Sequence, residues 1–300
     1  MRFDWIIIIL LLAALTPLFG LLLAVIWERR HREKTEKPPQ TEKLLRPPGY
    51  SLSLRLEKVF DHLMDKLFIS CIYSLIAGFW VVVLSFSFFL HAPFLWREIC
   101  VSIFVVFVVA SAMAALKAFH CFKELRNIRL GISGEQAVAE ALNEVADIGF
   151  RAFHDLTEEN WNIDHVAVGE RGVFLIETKA RRRRGSRNGL QEHKVIFDGE
   201  SLQFPSYKYK DAEPIKQAKR NAIWLANYLY KKTGESVRVE ALVILPGWFV
   251  RNSEKGNFPV QVMNAKYLIQ FLRGQDSKIE SAQVRRIITA LDEKCRDVEF

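Results

Sequence analysis

Apolar and polar positions divide the chain sharply. From Trp5 to Trp27 runs IIIILLLAALTPLFGLLLAVI without a charged residue. A helix of that length reaches roughly 34 Å at about 1.5 Å per residue, enough to cross a bilayer core. Trp5 and Trp27 fall where amphipathic rings prefer to lie, at the two interfaces. Glu28-Arg29-Arg30-His31-Arg32 follows where a signal peptide would carry a small-residue cleavage site, so the pattern predicts an uncleaved anchor. Two more uncharged runs, at 68–90 and 99–116, flank the short loop HAPFLWRE and predict a helical hairpin. Ahead of them, TEKPPQTEKLLRPPG reads as a Pro-stiffened linker. In LRLEKVFDHLMDKLF the apolar residues Leu56, Val59, Phe60, Leu63, Met64 and Leu67 recur at three and four. Arg55, Lys58, Asp61 and Asp65 take the other face, which predicts an interfacial helix leading into the second span.

From Gly131 the pattern becomes that of a soluble α/β domain. Ser133 and Gln136 have capping-box spacing ahead of the stripe Ala137, Val138, Ala141, Leu142 and Val145, predicting a helix over 134–146. FRAFHDL, NIDHVAVG and GVFLIETKA are short apolar runs bounded by turns, hence strands, the last apolar on both faces as in a sheet covered on both sides. HKVIF and SLQFP flank the turn Asp198-Gly199. Pro214 opens a helix through Tyr230 that Gly234 stops. VRVEALVIL and PVQVMNA read as strands, AKYLIQFL and SAQVRRIITALDEKC as helices. The expected architecture is α/β, a mixed central sheet flanked by helices and preceded by three transmembrane helices. The membrane region occupies 1–128, with spans at about 5–27, 68–90 and 99–116 and a linker at 28–66. The soluble domain occupies 129–300.

Charge sets the orientation and removes one functional class. The chain carries a formal +8. Residues 1–130 hold 16 Lys and Arg against 10 Asp and Glu, and residues 131–300 hold 26 against 24, so the excess lies mainly in the first part. Between Glu28 and Lys66 stand 10 basic residues, against one between His91 and Glu98, and Lys117, Lys123, Arg126 and Arg129 follow the third run. The positive-inside bias then puts the N-terminus outside and the C-terminal domain in the cytoplasm, a layout that suits a bacterial inner membrane. None of the three runs contains Asp, Glu, Lys or Arg, which argues against transport. The 4 cysteines form no CxxC pair and read as small hydrophobes.

P-loop, serine-hydrolase and zinc-protease motifs are absent, so no nucleotide cofactor is expected. One constellation carries chemistry. If Gly169–Gly172 is a four-residue hairpin turn with Val168 opposite Val173, Asp164 falls opposite Glu177, and Lys179 points to the same face. Facing carboxylates about 5 Å apart repel unless a cation or proton lies between them. They supply hard oxygen ligands for Mg²⁺ or Mn²⁺, with a nearby ammonium to hold water. A buried ion cluster serving only the fold is the structural alternative. Gln217 and Asn221, four apart, share a helix face on which amides meet the site, nucleic acid or solvent. The run from Lys179 through Arg181, Arg182, Arg183 and Arg184 to Arg187 lacks acidic residues. It suits phosphate backbones or, near a bilayer, anionic membrane lipid. His165 alternates to the opposite strand face and reads as a core histidine. His154-Asp155 is a weaker candidate for the site rim. Trp161, Trp224, Trp248 and Phe249 read mainly as core or rim aromatics, with Trp248-Phe249 placed for exposure after Pro246-Gly247.

GISGEQAVAEAL, NIDHVAVGERGVFLIETKA and PIKQAKRNAIWL, in that order over residues 129–245, resemble the nuclease-related domain (NERD) family of the PD-(D/E)xK nuclease superfamily. The resemblance implies a restriction-endonuclease-like fold and Mg²⁺-dependent cleavage of nucleic acid, DNA above RNA. It assigns Asp164 and Glu177 to the metal and Lys179 to catalysis. Glu135, in the Gly134-Glu135 pair, is implied as a further metal or water ligand and Gln217 as the downstream helical glutamine. Ile163 stands where many superfamily members have Pro.

Overall fold

The computed structural model describes residues 42–91, 93–159, 161–182, 193–205, 208–252 and 258–298, with single positions at Gly20, Leu23, Ala24, Trp27, Glu28 and His31. The span expected at 5–27 lies outside the described residues apart from those positions, as do Arg183, Arg184 and Arg187. The chain forms two compact units, one holding His62–His120, the other Lys43–Asp61 together with Cys121–Val298.

Among the described residues two helices are long and apolar enough to cross a membrane, and they hold the expected spans at 68–90 and 99–116. The first, α1, spans Tyr50–Phe89, and the second, α2, spans Phe94–Asn143 and ends in a 3₁₀ turn, Glu144–Ile148. Within the first unit Ser74 Oγ and Ser111 Oγ lie 2.8 Å apart, and Phe88, Leu95, Val106 and Leu116 point outward, a surface suited to lipid. The interfacial helix and the second span are one helix, because no Pro or Gly interrupts the chain between Leu54 and Gly78. The expected helix start at Ser133 is likewise absent. Ser133 lies inside α2 and its hydroxyl donates back to Leu130 O at 2.9 Å. The switch from apolar to charged residues that begins at Lys117 marks a change of surroundings, not an end of the helix.

The second unit is built on a five-stranded sheet of order β10-β8-β4-β3-β2, with β2 at Arg151–Thr157, β3 at Asn162–Gly169, β4 at Gly172–Thr178, β8 at Val239–Ile244 and β10 at Val260–Met263. β2, β3 and β4 are antiparallel, whereas β4, β8 and β10 run parallel. Every residue of β4 is buried. A four-stranded sheet of order β7-β6-β5-β9 joins Lys194–Phe197 (β5), Leu202–Phe204 (β6), Tyr209–Asp211 (β7) and Phe249–Asn252 (β9). β7 and β9 are additions to the expected set. A two-residue β1, Leu44–Leu45, pairs with β11, Arg296–Val298. Part of the stretch read as linker is therefore built into this unit.

Alternation along β3 and β4 builds two cores. Val166, Val168, Val173 and Leu175 join the stripe Ile215, Ala218, Leu225 and Leu229 of α3, Glu213–Thr233, and Ile287 and Leu291 of α5, Ser281–Cys295. Ala167, Phe174 and Ile176 join Val138 and Leu142 of α2 and Leu268 and Leu272 of α4, Ala265–Arg273. Pro214 starts α3, and Gly234 ends it at φ +75° with its N–H on Tyr230 O. Trp248 is 1% exposed, the core aromatic it was mainly read as, and donates Nε1 to Arg181 O, and the exposure offered for the Trp248-Phe249 pair is found at Phe249 alone.

His165 is fully buried and its Nδ1 lies 2.8 Å from Nδ1 of His154, directly across from it on β2. Burial pushes His154 down to about 4 and holds His165 well below the usual histidine range. Both rings are neutral in the fold and take protons in the unfolded chain below about pH 6.5, so stability falls as pH drops from there toward 4. Relative to wild type, His154→Gln should lose less stability over that window, on the order of 3 kcal/mol less by pH 4. Denaturant unfolding followed by tryptophan fluorescence reads the difference, and parallel losses in the two chains would contradict the assignment.

Candidate active site

The β3–β4 turn sets the register from which the site grows. Gly169 pairs with Gly172, Val168 with Val173 and His165 with Ile176. One step further Asp164 comes opposite Glu177, and there the ladder yields to a side chain. Asp164 Oδ2 accepts the Thr178 N–H at 2.7 Å. β4 continues past this point because the Lys179 N–H donates to Ile244 O of β8 at 2.9 Å. Lys179 Nζ then donates to Glu177 Oε1 at 3.1 Å and to Gln217 Oε1 of α3 at 3.3 Å.

Glu135 arrives from α2. Its neighbour Gly134 lies against the strand exit so closely that a Cβ there would sit 2.5 Å from the Ala180 Cβ. Any other residue would lift the helix away from the strand end. Glu135, Asp164 and Glu177 are 4%, 7% and 2% exposed, three buried carboxyls that act on one another electrostatically. Burial, then Asp155 and Glu177, push Glu135 up to about 8, against a hydrogen bond from the Gly49 amide. Burial, then Glu177 and Glu135, hold Asp164 well above the usual carboxylate range. Glu177 is raised by burial, with Lys179 and, more weakly, Arg220 pulling it down.

Glu135 Oε2 and Glu177 Oε2 are buried without a hydrogen-bond partner. Hard carboxylate oxygens with unused lone pairs are the donor set that Mg²⁺ or Mn²⁺ takes, so the residues fit such an ion. Among the described residues no group of three His, Cys, Asp or Glu forms a ready-made cage, and the ammonium of Lys179 is the cation that meets Glu177. The chemistry open to such a site is hydrolysis of a phosphate ester, in which charge builds on oxygen in the transition state.

The structure brings together Glu135, Asp164, Glu177, Lys179 and Gln217, and treats the other sequence candidates differently. Asn221 is 5% exposed and reaches Asn162 O at 3.5 Å, holding the start of β3 where a ligand contact was expected. Arg181 is paired with Asp211 and lies over the rings of Phe204 and Tyr209, 5.8 and 5.6 Å from their centroids. Arg182 donates to Arg126 O at 2.6 Å. Trp161 packs edge-on against Trp224, which stacks on Tyr228. Arg220 near Glu177 escaped the sequence pattern, although its place three residues after Gln217 was a usable signal. The contacts of Asp155 with α1 left no local trace.

No curated protein and no solved structure matches the chain. Residues 130–246, the segment that carries all five gathered side chains, match the NERD family, the nuclease-related domain.

Proposed function

We propose that the chain is a membrane-anchored, divalent-metal-dependent nuclease that hydrolyses phosphodiester bonds in DNA. The observation that carries this reading is the buried group of Glu135, Asp164 and Glu177 with two unpartnered oxygens and Lys179 beside it. A binding module gains little from buried carboxylates that repel phosphate.

Asp164, Glu177 and Glu135 would hold Mg²⁺ or Mn²⁺, which when bound supplies Lewis acidity and an activated water. Lys179, fixed between Glu177 and Gln217, orients the attacking water and offsets charge on the phosphate oxygens as it builds. Gln217 keeps the ammonium on that line. Thr178 N–H fixes the Asp164 carboxyl, so its orientation is set before any ligand arrives. Arg181 to Arg184 and Arg187 leave the same strand and suit the DNA backbone, with Arg181 anchoring the run through Asp211.

Neutralising Asp164→Asn or Glu177→Gln should abolish cleavage and the stabilisation by Mg²⁺, while raising the metal-free melting temperature because like charges no longer crowd. Lys179→Ala should still bind Mg²⁺ and lose turnover by about 100-fold or more. Thermal melts with and without Mg²⁺ beside a cleavage assay read all three. A wild-type chain that melts identically in both conditions and cuts nothing fits a noncatalytic nucleic-acid-binding membrane tether instead.

Replacing Arg182, Arg183, Arg184 and Arg187 by Ser should weaken DNA binding across sequences and flatten its salt dependence, since each phosphate contact releases counterions. Binding isotherms at several salt concentrations measure this, and a change confined to anionic liposomes would assign the run to membrane lipid.

The loop charges support an N-terminus outside a bacterial inner membrane and the second unit in the cytoplasm. Reporter fusions after Arg126 should read as cytoplasmic and fusions within His91–Trp96 as external. The reverse pattern would overturn this orientation.

A further inference from the structure

Two residues past Lys179, the chain leaving β4 enters a cluster that the hydrolytic site does not use. From Lys179 to Arg181 the backbone reaches at most about 7 Å. Arg181 lies over the rings of Phe204 of β6 and Tyr209 of β7, and its guanidinium is paired with the buried Asp211. Asp211 Oδ1 in turn accepts the Glu213 N–H at 3.2 Å, at the start of the helix that carries Gln217. Trp248 holds the backbone of Arg181 through Nε1 and meets Phe204 edge-on, with ring centroids 5.1 Å apart. Phe204 and Trp248 are spent on the core. Tyr209 is not: its ring lies 6.3 Å from that of Phe204 at 27° and is 49% exposed, and the Arg181 side chain is 41% exposed. Lys208 and Lys210 on either side are exposed. Lys210 meets Asp198 at 3.0 Å, whereas Lys208, held at φ +50° with its N–H on Pro205 O, has no acidic partner among the described residues. β7 is the edge of its sheet, and lysines there would keep it from pairing with another strand. That need does not explain a half-open aromatic ring beside a guanidinium already neutralised by a carboxylate. Such a guanidinium has little charge left for phosphate, but with the ring it offers a flat face.

We propose that Tyr209 and Arg181 form a stacking site for an unpaired base, with Lys208 on the adjoining phosphate, so that the DNA strand passing the end of β4 is single-stranded there. A base inside a duplex has its faces covered by its neighbours, whereas every unpaired base can offer one to a side chain. Charge favours this occupant, since residues 179–187 carry no acidic side chain. Placing the stacked base next to the phosphate that is cut rests on the nuclease reading above, and it makes Tyr209 and Arg181 specificity-determining residues. The stacking site itself does not need that reading.

The test uses the full chain in detergent micelles with a chelator, so that nothing is cut. The probes are a single-stranded DNA oligonucleotide carrying a fluorescent base analogue and the same sequence as a duplex. Tyr209→Leu keeps apolar packing on Phe204 and removes the flat ring. It should weaken single-strand binding about tenfold, the loss of one stacked base, and change duplex binding by no more than about twofold. Tyr209→Phe should bind as wild type does, and both should quench the analogue where Tyr209→Leu does not. Unchanged single-strand affinity in Tyr209→Leu, an equal loss on both probes, or a loss that Tyr209→Phe fails to restore overturns the proposal. So does a wild-type chain that binds no single strand, or a change confined to anionic liposomes, which would assign the surface to lipid. Once Mg²⁺ is added, Tyr209-dependent binding without cleavage would sink the nuclease reading and leave the stacking site standing. Cleavage of single strands that Tyr209→Leu leaves at the wild-type rate would do the reverse.

Discussion

Repulsion among Glu135, Asp164 and Glu177 is the constraint around which the second unit is organised. Three carboxyl groups this deeply buried cannot all carry charge unless something positive or a proton lies among them. The fold answers with two fixed donors: the Thr178 amide on Asp164 and the Lys179 ammonium on Glu177. Each answers one carboxyl group, and two oxygens are left over. Such an arrangement is tolerable in a stable core and receptive to a cation, a combination that an apolar replacement of the same volume would lack.

The sheet supplies the rigidity that this constraint demands. β4 is hydrogen-bonded on both sides, antiparallel to β3 and parallel to β8, and all of its residues are buried. Glu177 therefore cannot swing out to water to relieve its neighbours. α3 packs its apolar stripe on the same face and presents Gln217 toward Lys179, so the lysine is held at both ends of its reach. Side-chain geometry of this kind is more accurately held on strands and helices than on loops.

The hairpin was readable from sequence because two glycines fix its turn and the period of two does the rest, so Asp164 and Glu177 could be counted into register. α3 was readable from its Pro and Gly ends. Glu135 was readable through family resemblance alone, since its place depends on how closely α2 approaches the strand exit. The continuity of α1 and α2 was hidden because hydropathy reports surroundings, whereas helix ends need a breaker. Ser51 and Asp155 lie 104 residues apart, and no local pattern announces their bond. The strands β7 and β9 hold only three and four residues, too few for alternation to register.

Gly131 and Gly134 are one helical turn apart on α2; a Cβ on the first would meet only the movable end of Leu52, whereas one on the second would sit 2.5 Å from the Ala180 Cβ. The close approach at Gly134 limits the angular phase of the helix about its own axis. A carboxyl oxygen on a helix side chain rides a lever arm of ~6 Å, so a rotation of about 20° would carry it roughly 2 Å sideways. Oxygen distances around a small divalent ion tolerate only a few tenths of an ångström. The missing methyl group at Gly134 acts like a keyway, bearing on where Glu135 points without touching it.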